Sequence, residues 1–429
     1  MNQVTKSQRM SRLSSLTSSL LGSEILEIAA DVRAMLAEGK DICNLTVGDF
    51  APSEFRIPAQ VERGIAERLR RGETNYPPPD GILPLREAVR TLYRRELGLD
   101  PSLASVIVTS GSRPGIYATY RGVVDPGDRV VYPTPSWNNP YYVQLVGARG
   151  VPVPVGAEDR FMPTRATLER AVRDARLLVL CSPQNPAGTT FTEESLGAIC
   201  DLVLEENARR RAGERPLYVM YDQVYWTLTF GDVRHVHPMG VRPAMAPYTV
   251  YVDGVSKSLA ATGLRVGWIM APEDLAGPMS ALIGHVGAWA PNAEQGAAAD
   301  FLEDAAAFSA FRAEMTARVH ERLDLLYDGL AAMRSDGLPV DVIAPEGTMY
   351  ISARFALNGR VAADGSRLDS DESVRRYLLR SAGFAVVPLR AFGSDADTGW
   401  YRLSAGAVSP EQIRRVLPKL RDALRAAMW

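Results

Sequence analysis

The stretch "TVYVDGVSKSLAATGLRVGWIMAP", Thr249 to Pro272, runs an apolar segment into a turn of small residues and then into a second apolar segment. Lys257 stands in that turn between two serines, and the next charge is Arg265, in a chain that otherwise uses lysine sparingly. A lysine on a solvated face usually has charged neighbours, and this one has none. Apolar residues on consecutive positions, rich in Val, Ile and Tyr, are the pattern of strands buried on both faces. The stretch therefore reads as a buried strand, a lysine-bearing loop and another buried strand.

The same design recurs upstream. From about Ser105 to Pro272 the runs "SVIVTS", "RVVYPTPS", "RLLVLCSP", "LYVMYDQ", "TVYVDGVS" and "GWIMAP" are strand candidates. Between several of them lie helix candidates such as "TRATLERAVRDA" and "TEESLGAICDLVLEENARR". Strands and helices in alternation imply an α/β fold, a mostly parallel sheet flanked by helices. After about residue 305 a long helical stretch leads to the short strands "VDVIAP", "MYISARF", "FAVVPL" and "WYRLSAG". A closing helix follows, with Ser409 as its cap, Pro410 in its first turn and Gln412 completing a capping box. The expected organisation is a large α/β domain over 46–305 and a small α+β domain over 306–429. An N-terminal arm and helix (1–45, the helix near Glu24 to Glu38) should join the small domain. Asn358 to Glu372 reads as a polar loop.

Composition narrows the functional classes. The 429 residues are 46% hydrophobic and 23% charged, ordinary for a globular enzyme, and the net charge of −2 offers no basic field for nucleic acid or anionic lipid. No apolar run approaches the roughly 20 residues of a membrane span. The Ser/Thr-rich start lacks the apolar core of a signal peptide and reads as a flexible arm. Cys43, Cys181 and Cys200 are odd in number and lack metal-ligand spacing. They suit buried free thiols in a reducing compartment. A cytoplasmic protein without a metal is expected.

Ligands on such sheets bind at the carboxyl ends of the strands, and that is where the informative residues fall. After "SVIVTS" come Gly111, Ser112 and Arg113, then a helix opening, which is an anion site in form and a plain turn in the simplest view. Trp137 follows "RVVYPTPS" and can stack on a flat ring or pack in the core. "SPQNPAG" presents Asn185 from a turn cluster. Asp222, followed by Tyr225, ends "LYVMY", and a buried acid needs a partner. Ser256 and Lys257 follow "TVYVDGV". Together these describe a site for pyridoxal phosphate, in which the lysine forms an imine and the acid keeps the pyridine nitrogen protonated.

With these residues in place the chain resembles the class I/II aminotransferases, pyridoxal-phosphate enzymes of fold type I, from near "EGKDICNLTVGD" to "YRLSAGAVSPEQIRRVL". The motifs "NYPPPDGILPLREAV", "PTPSW", "SPQNPAG", "YDQVY", "SKSLAATGLRVGW" and "YRLSAG" match in order. The resemblance implies that Lys257 is the Schiff-base lysine and proton carrier and that Asp222 pairs with the ring nitrogen. Asn185 and Tyr225 should bond the ring's phenolic oxygen, and Trp137 should stack on the ring. The phosphate should lie against the backbone of Ser112 and Arg113, with Ser256 and Arg265 as side-chain ligands. Tyr76 resembles the tyrosine that reaches the phosphate of a neighbouring subunit, implying a homodimer with shared sites. Arg402 resembles the arginine that grips the substrate's α-carboxylate, and Gly48 the glycine whose backbone approaches that carboxylate.

The chain also departs from the family. It has "GDFAPSEF" where "GEPDF" is common, Arg390 in "VPLRAFG", and an arginine-rich insertion near Asn207 to Pro216. Arg113 and Arg390 are both candidates for a substrate's distal carboxylate. The implied activity is transfer of an amino group from an α-amino acid to a 2-oxo acid by a ping-pong cycle through pyridoxamine phosphate. The alternative is another reaction on the same cofactor: β-elimination, cyclopropane formation or amino-acid oxidation. A non-enzymatic sensor would need a DNA-binding module, which is not seen.

Overall fold

The computed structural model describes residues 12–20, 24–362, 365–394 and 396–427. Seven strands make the central sheet: β1 (Val106–Ser110), β2 (Arg129–Thr134), β3 (Arg149–Pro154), β4 (Ala175–Cys181), β5 (Tyr218–Asp222), β6 (Thr249–Gly254) and β7 (Val266–Met270). Their spatial order is β1-β7-β6-β5-β4-β2-β3, and β7 alone runs against its neighbours. The six expected strands are all present.

The seventh, β3, escaped the sequence reading because "RGVPVP" carries one glycine and two prolines. It lies at the sheet edge, paired only with β2, where a missing proline N–H leaves no ladder bond unmade. The helix expected over "TRATLERAVRDA" shrinks to Arg165–Leu168, behind a Thr164–Thr167 capping box.

The continuous apolar runs are explained by burial on both faces. Ile107, Val130, Leu177, Val179, Met220, Val252 and Ile269 face one core cluster, which the helix Ser112–Val123 covers with Ile116 and Tyr120. Val108, Val131, Leu178, Leu180, Val219 and Trp268 face the other, covered by Leu196, Ile199 and Leu202 of the helix Glu193–Arg209. Each such side chain contributes roughly 1.5–3 kcal/mol by leaving water.

A second, antiparallel sheet has the order β10-β11-β9-β8, formed by β8 (Val340–Val342), β9 (Tyr350–Phe355), β10 (Val387–Pro388) and β11 (Trp400–Ser404). The helix Ala305–Ser335 joins the two sheets. Phe308, near its start, packs in the large-sheet cluster, while Val319, Leu323, Leu326 and Leu330 pack with Val340 and Ile413. The closing helix has its Ser409–Gln412 capping box, both bonds made. The helix Glu24–Ala37 sets Ile28 against Val155 and Phe161 as well as Val387 and Trp400. The expected polar loop after Asn358 contains a small hairpin instead, Arg360–Val361 against Arg367–Leu368, and Asp371 and Glu372 open a helix capped by Ser370. Of the N-terminal arm, residues 1–11 lie outside the described ones; Ser15–Ser19 form one short helix. No helix of the described residues is long and apolar enough to cross a membrane.

Candidate active site

The carboxyl ends of β1, β2, β4, β5 and β6 open on one cavity of about 520 Å³, closed on its far side by β9, β11 and the segment around Gly48. Gly48, Ser112, Arg113, Trp137, Asn185, Asp222, Tyr225, Ser256, Lys257, Arg265 and Arg402 all line it. One edge of a parallel sheet gathers residues separated by hundreds of positions, because every βα unit presents its strand end on the same side.

Lys257 sits on the short helix Val255–Ser258 directly after β6. Its Nζ donates to the Gly48 carbonyl at 2.7 Å. Burial lowers its ammonium to about 8, with Asp49 opposing the shift and the Arg402 and Arg113 guanidiniums adding to it. Across the cavity, burial lifts the Asp222 carboxyl to about 6, partly offset by the Val224 N–H, which donates to it at 3.2 Å, and by Lys257. A carboxylate so placed gains most from a cationic N–H at its free oxygen, which a pyridinium supplies.

The β1 turn and Arg265 form a cradle. Gly111 has φ +74°, and a Cβ there would lie 2.3 Å from Arg265 Nη2, so the turn closes on the guanidinium only as glycine. Arg265 donates to the carbonyls of Thr262 (2.7 Å) and Ser110 (2.9 Å), which hold it under the start of the helix Ser112–Val123. Backbone N–H groups at a helix start, two serines and a guanidinium suit a phosphate dianion.

Arg402 is 2% exposed, bonded to Asn185 Oδ1 (3.3 Å) and the Thr46 carbonyl (2.8 Å). A side chain at residue 48 would begin 3.7 Å from Arg402 Nη1, so glycine leaves room for a carboxylate against that fork. Arg113 lies at the mouth of the cavity with its guanidinium 4.7 Å from the Trp137 ring centroid. Arg390 does not line the cavity: it is exposed and pairs with Asp397 at 3.7 Å. Tyr76 is 89% exposed, packs on Trp289 at 5.5 Å and meets no part of the cavity within its own chain. In the arginine-rich insertion, Arg210 is half-buried and donates to the Ala175 carbonyl, so it braces the sheet.

Asp49, Thr262 and Tyr350 also line the cavity and were not singled out from the sequence. Thr262 donates to Asp49 at 2.7 Å. Asp49 could have been found by the argument applied to Asp222, an acid beside an apolar run. Tyr350, inside "MYISARF", is indistinguishable from a core tyrosine. Among the described residues no cluster of metal-ligating side chains occurs.

A strand-end lysine, a buried acid and an anion cradle on such a sheet define a fold type I transferase. Residues 40–420 match the family model for aminotransferase class I and II, and the chain belongs to that family. It is 31% identical to a probable aspartate/prephenate aminotransferase of Rhizobium leguminosarum bv. phaseoli over 401 residues, covering 93% of this chain and 95% of the relative. It is 30% identical to the aspartate/prephenate aminotransferase of Thermus thermophilus, covering 94% and 97%. The crystal structure of the aspartate aminotransferase from Rhizobium meliloti superposes with a TM-score of 0.87 at 29% identity, covering 96% and 99%. The activity is amino-group transfer, in a family that generally depends on pyridoxal phosphate.

Proposed function

We propose that this protein binds pyridoxal phosphate on Lys257 and transfers the amino group of an acidic α-amino acid, of the aspartate or glutamate type, to a 2-oxo acid. The observation that carries this is the convergence of Lys257, Asp222, the Gly111–Arg265 cradle and Arg402 on one cavity. When bound, the cofactor supplies an electron sink for the charge left at Cα once its proton is removed. Asp222 holds the ring nitrogen's proton, and Asn185 and Tyr225 donate to the ring's phenolic oxygen. Trp137 covers one ring face. The backbone of Ser112 and Arg113 at the helix start and the side chains of Ser256 and Arg265 hold the phosphate. Arg402 and Gly48 would orient the α-carboxylate so that the Cα–H bond faces Lys257, and Lys257, its amine freed when the substrate's amino group takes its place on the cofactor, would move the proton.

Arg113, exposed where it lines the cavity and stacked on Trp137, is the group for a distal carboxylate. The names of the relatives, aspartate and aspartate/prephenate aminotransferases, support an acidic substrate. In this reading 46–305 is the cofactor-binding unit, and 306–429 with 1–45 is the unit that closes on it. Two copies form a homodimer in which Tyr76 of each completes the partner's phosphate site, and the protein works in the cytoplasm.

A single-turnover screen tests the reading. Aspartate or glutamate should bleach the visible absorbance of the loaded enzyme and release one equivalent of the matching 2-oxo acid. Release of ammonia, or uptake of oxygen, without need of an acceptor would overturn transamination.

A further inference from the structure

Tyr350 stands between the residues assigned to the cofactor and those assigned to the substrate. It is buried on β9, its hydroxyl lies 2.9 Å from the hydroxyl of Tyr225, and the Arg402 guanidinium lies 4.5 Å from its ring centroid. Two touching hydroxyls cannot both donate to each other. If Tyr225 gives its proton to the cofactor's phenolic oxygen, its own oxygen must accept, and Tyr350 is the donor. A hydroxyl that accepts a hydrogen bond becomes a stronger donor in turn.

On the other side, the guanidinium of Arg402 rests against the Tyr350 ring and, at 4.8 Å, that of Phe392. Its Nε is buried with no partner within the described residues. Ring faces attract the cation without consuming its N–H donors, which stay available for a carboxylate. The segment carrying Gly48 is fitted to the same hydroxyl, since a Cβ at residue 48 would be 3.1 Å from it. The charged and titratable groups acting on Tyr350 are Arg402, Tyr225, Asp49 and Cys181.

We propose that Tyr350 is a positioning residue that couples the two halves of the site. Its hydroxyl sets the donor strength of Tyr225 toward the cofactor, and its ring face sets the orientation of Arg402 toward the substrate's carboxylate. The inference rests on the pyridoxal phosphate reading above.

The two contacts can be separated, because Tyr350→Phe removes only the hydroxyl and Tyr350→Leu removes both. Tyr225 stabilises the phenolic oxygen most when its negative charge is uncompensated, after the neighbouring nitrogen has lost its proton. A weakened Tyr225 therefore moves the pH midpoint of the visible absorbance upward. The midpoint is titrated in loaded wild type, Tyr350→Phe, Tyr225→Phe and the double variant. Tyr350→Phe should raise proton affinity about threefold, the scale of one net hydrogen bond, and add nothing in the Tyr225→Phe background. An unmoved midpoint, or an equal further shift in the double variant, overturns the first half.

Succinate, an unreactive dicarboxylate, probes the second half by equilibrium titration. Tyr350→Phe should keep its Kd within about twofold, and Tyr350→Leu should weaken it about tenfold, the scale of a buried cation–ring contact. Equal weakening by both variants, or none by Tyr350→Leu, overturns it. A wild type with no pH-dependent visible band would sink the cofactor reading, and this inference with it. A band that Tyr350→Phe leaves unmoved keeps the cofactor reading and overturns the hydroxyl half of the inference.

Discussion

Lys257 Nζ donates to the carbonyl oxygen of Gly48 at 2.7 Å, across 209 residues of sequence. The lysine thereby rests on the backbone assigned to the substrate's α-carboxylate, in a cavity that burial makes costly for its charge. With the ammonium lowered to about 8, the neutral, nucleophilic amine is reached well below the ordinary lysine range.

Capture of pyridoxal phosphate by the apoenzyme should therefore accelerate as pH rises through about 8 and level off above it. Stopped-flow absorbance checks this, and a rate still climbing steeply at pH 10 contradicts it. Lysine occurs only at positions 6, 40, 257 and 419, so borohydride reduction and peptide mapping assign the adduct unambiguously. Lys257→Ala should bind the cofactor without the covalent adduct, and a label on another lysine would remove Lys257 from the mechanism.

The cradle can be tested without chemistry. Gly111→Ala puts a methyl group into the Arg265 guanidinium at a backbone angle that disfavours side chains. Its affinity for pyridoxal phosphate should fall at least about tenfold while affinity for pyridoxal, which lacks the phosphate, changes little. Equal losses for both ligands would show a general disturbance and not a phosphate site.

Arg113 and Arg390, equivalent as candidates in the sequence, now separate. Arg113→Met should lower kcat/KM for aspartate and glutamate about tenfold, the low end expected for a charge-assisted contact in a partly exposed place, and spare aromatic or aliphatic donors. Arg390→Met, altering an exposed pair with Asp397, should change neither class by more than about twofold. A uniform loss in Arg113→Met, or an acid-selective loss in Arg390→Met, reverses the assignment.

Tyr76 tests the assembly. A mixed dimer of Tyr76→Phe and Lys257→Ala subunits should hold one site with both lesions and one with neither. It should recover activity that the parent homodimers lack or have reduced. A fully active monomer at assay concentration ends the shared-site proposal.

Most of the candidate cofactor residues were legible in the sequence because they follow apolar runs, whereas Arg265, which precedes one, and Tyr76 were named through the resemblance alone. In a parallel α/β sheet chain order alone carries every strand end to one edge, so Ser112, Asn185, Asp222 and Lys257 needed no knowledge of packing to be placed together. That Asn185 and Tyr225 share one ring's phenolic oxygen came instead from the resemblance to the family, since chain order places residues together but assigns them no roles. The capping of the closing helix by Ser409 was equally local. The strand "RGVPVP" was not legible, since its prolines are tolerated only at an edge, and being at the edge is a property of the whole sheet.

The sequence by itself determined the family, the sheet and the set of strand-end residues, because these depend on residue type, period and order along the chain. Only the tertiary structure decided where side chains from the second sheet point. Strand alternation assigns a residue to one of two faces but does not say what stands opposite that face. Arg390 turned out to solvent, Asp49 turned in beside Lys257, and Tyr350 came between Tyr225 and Arg402. Each of these depends on how the two sheets and the segments between them pack against each other, and no local pattern in the chain records that contact.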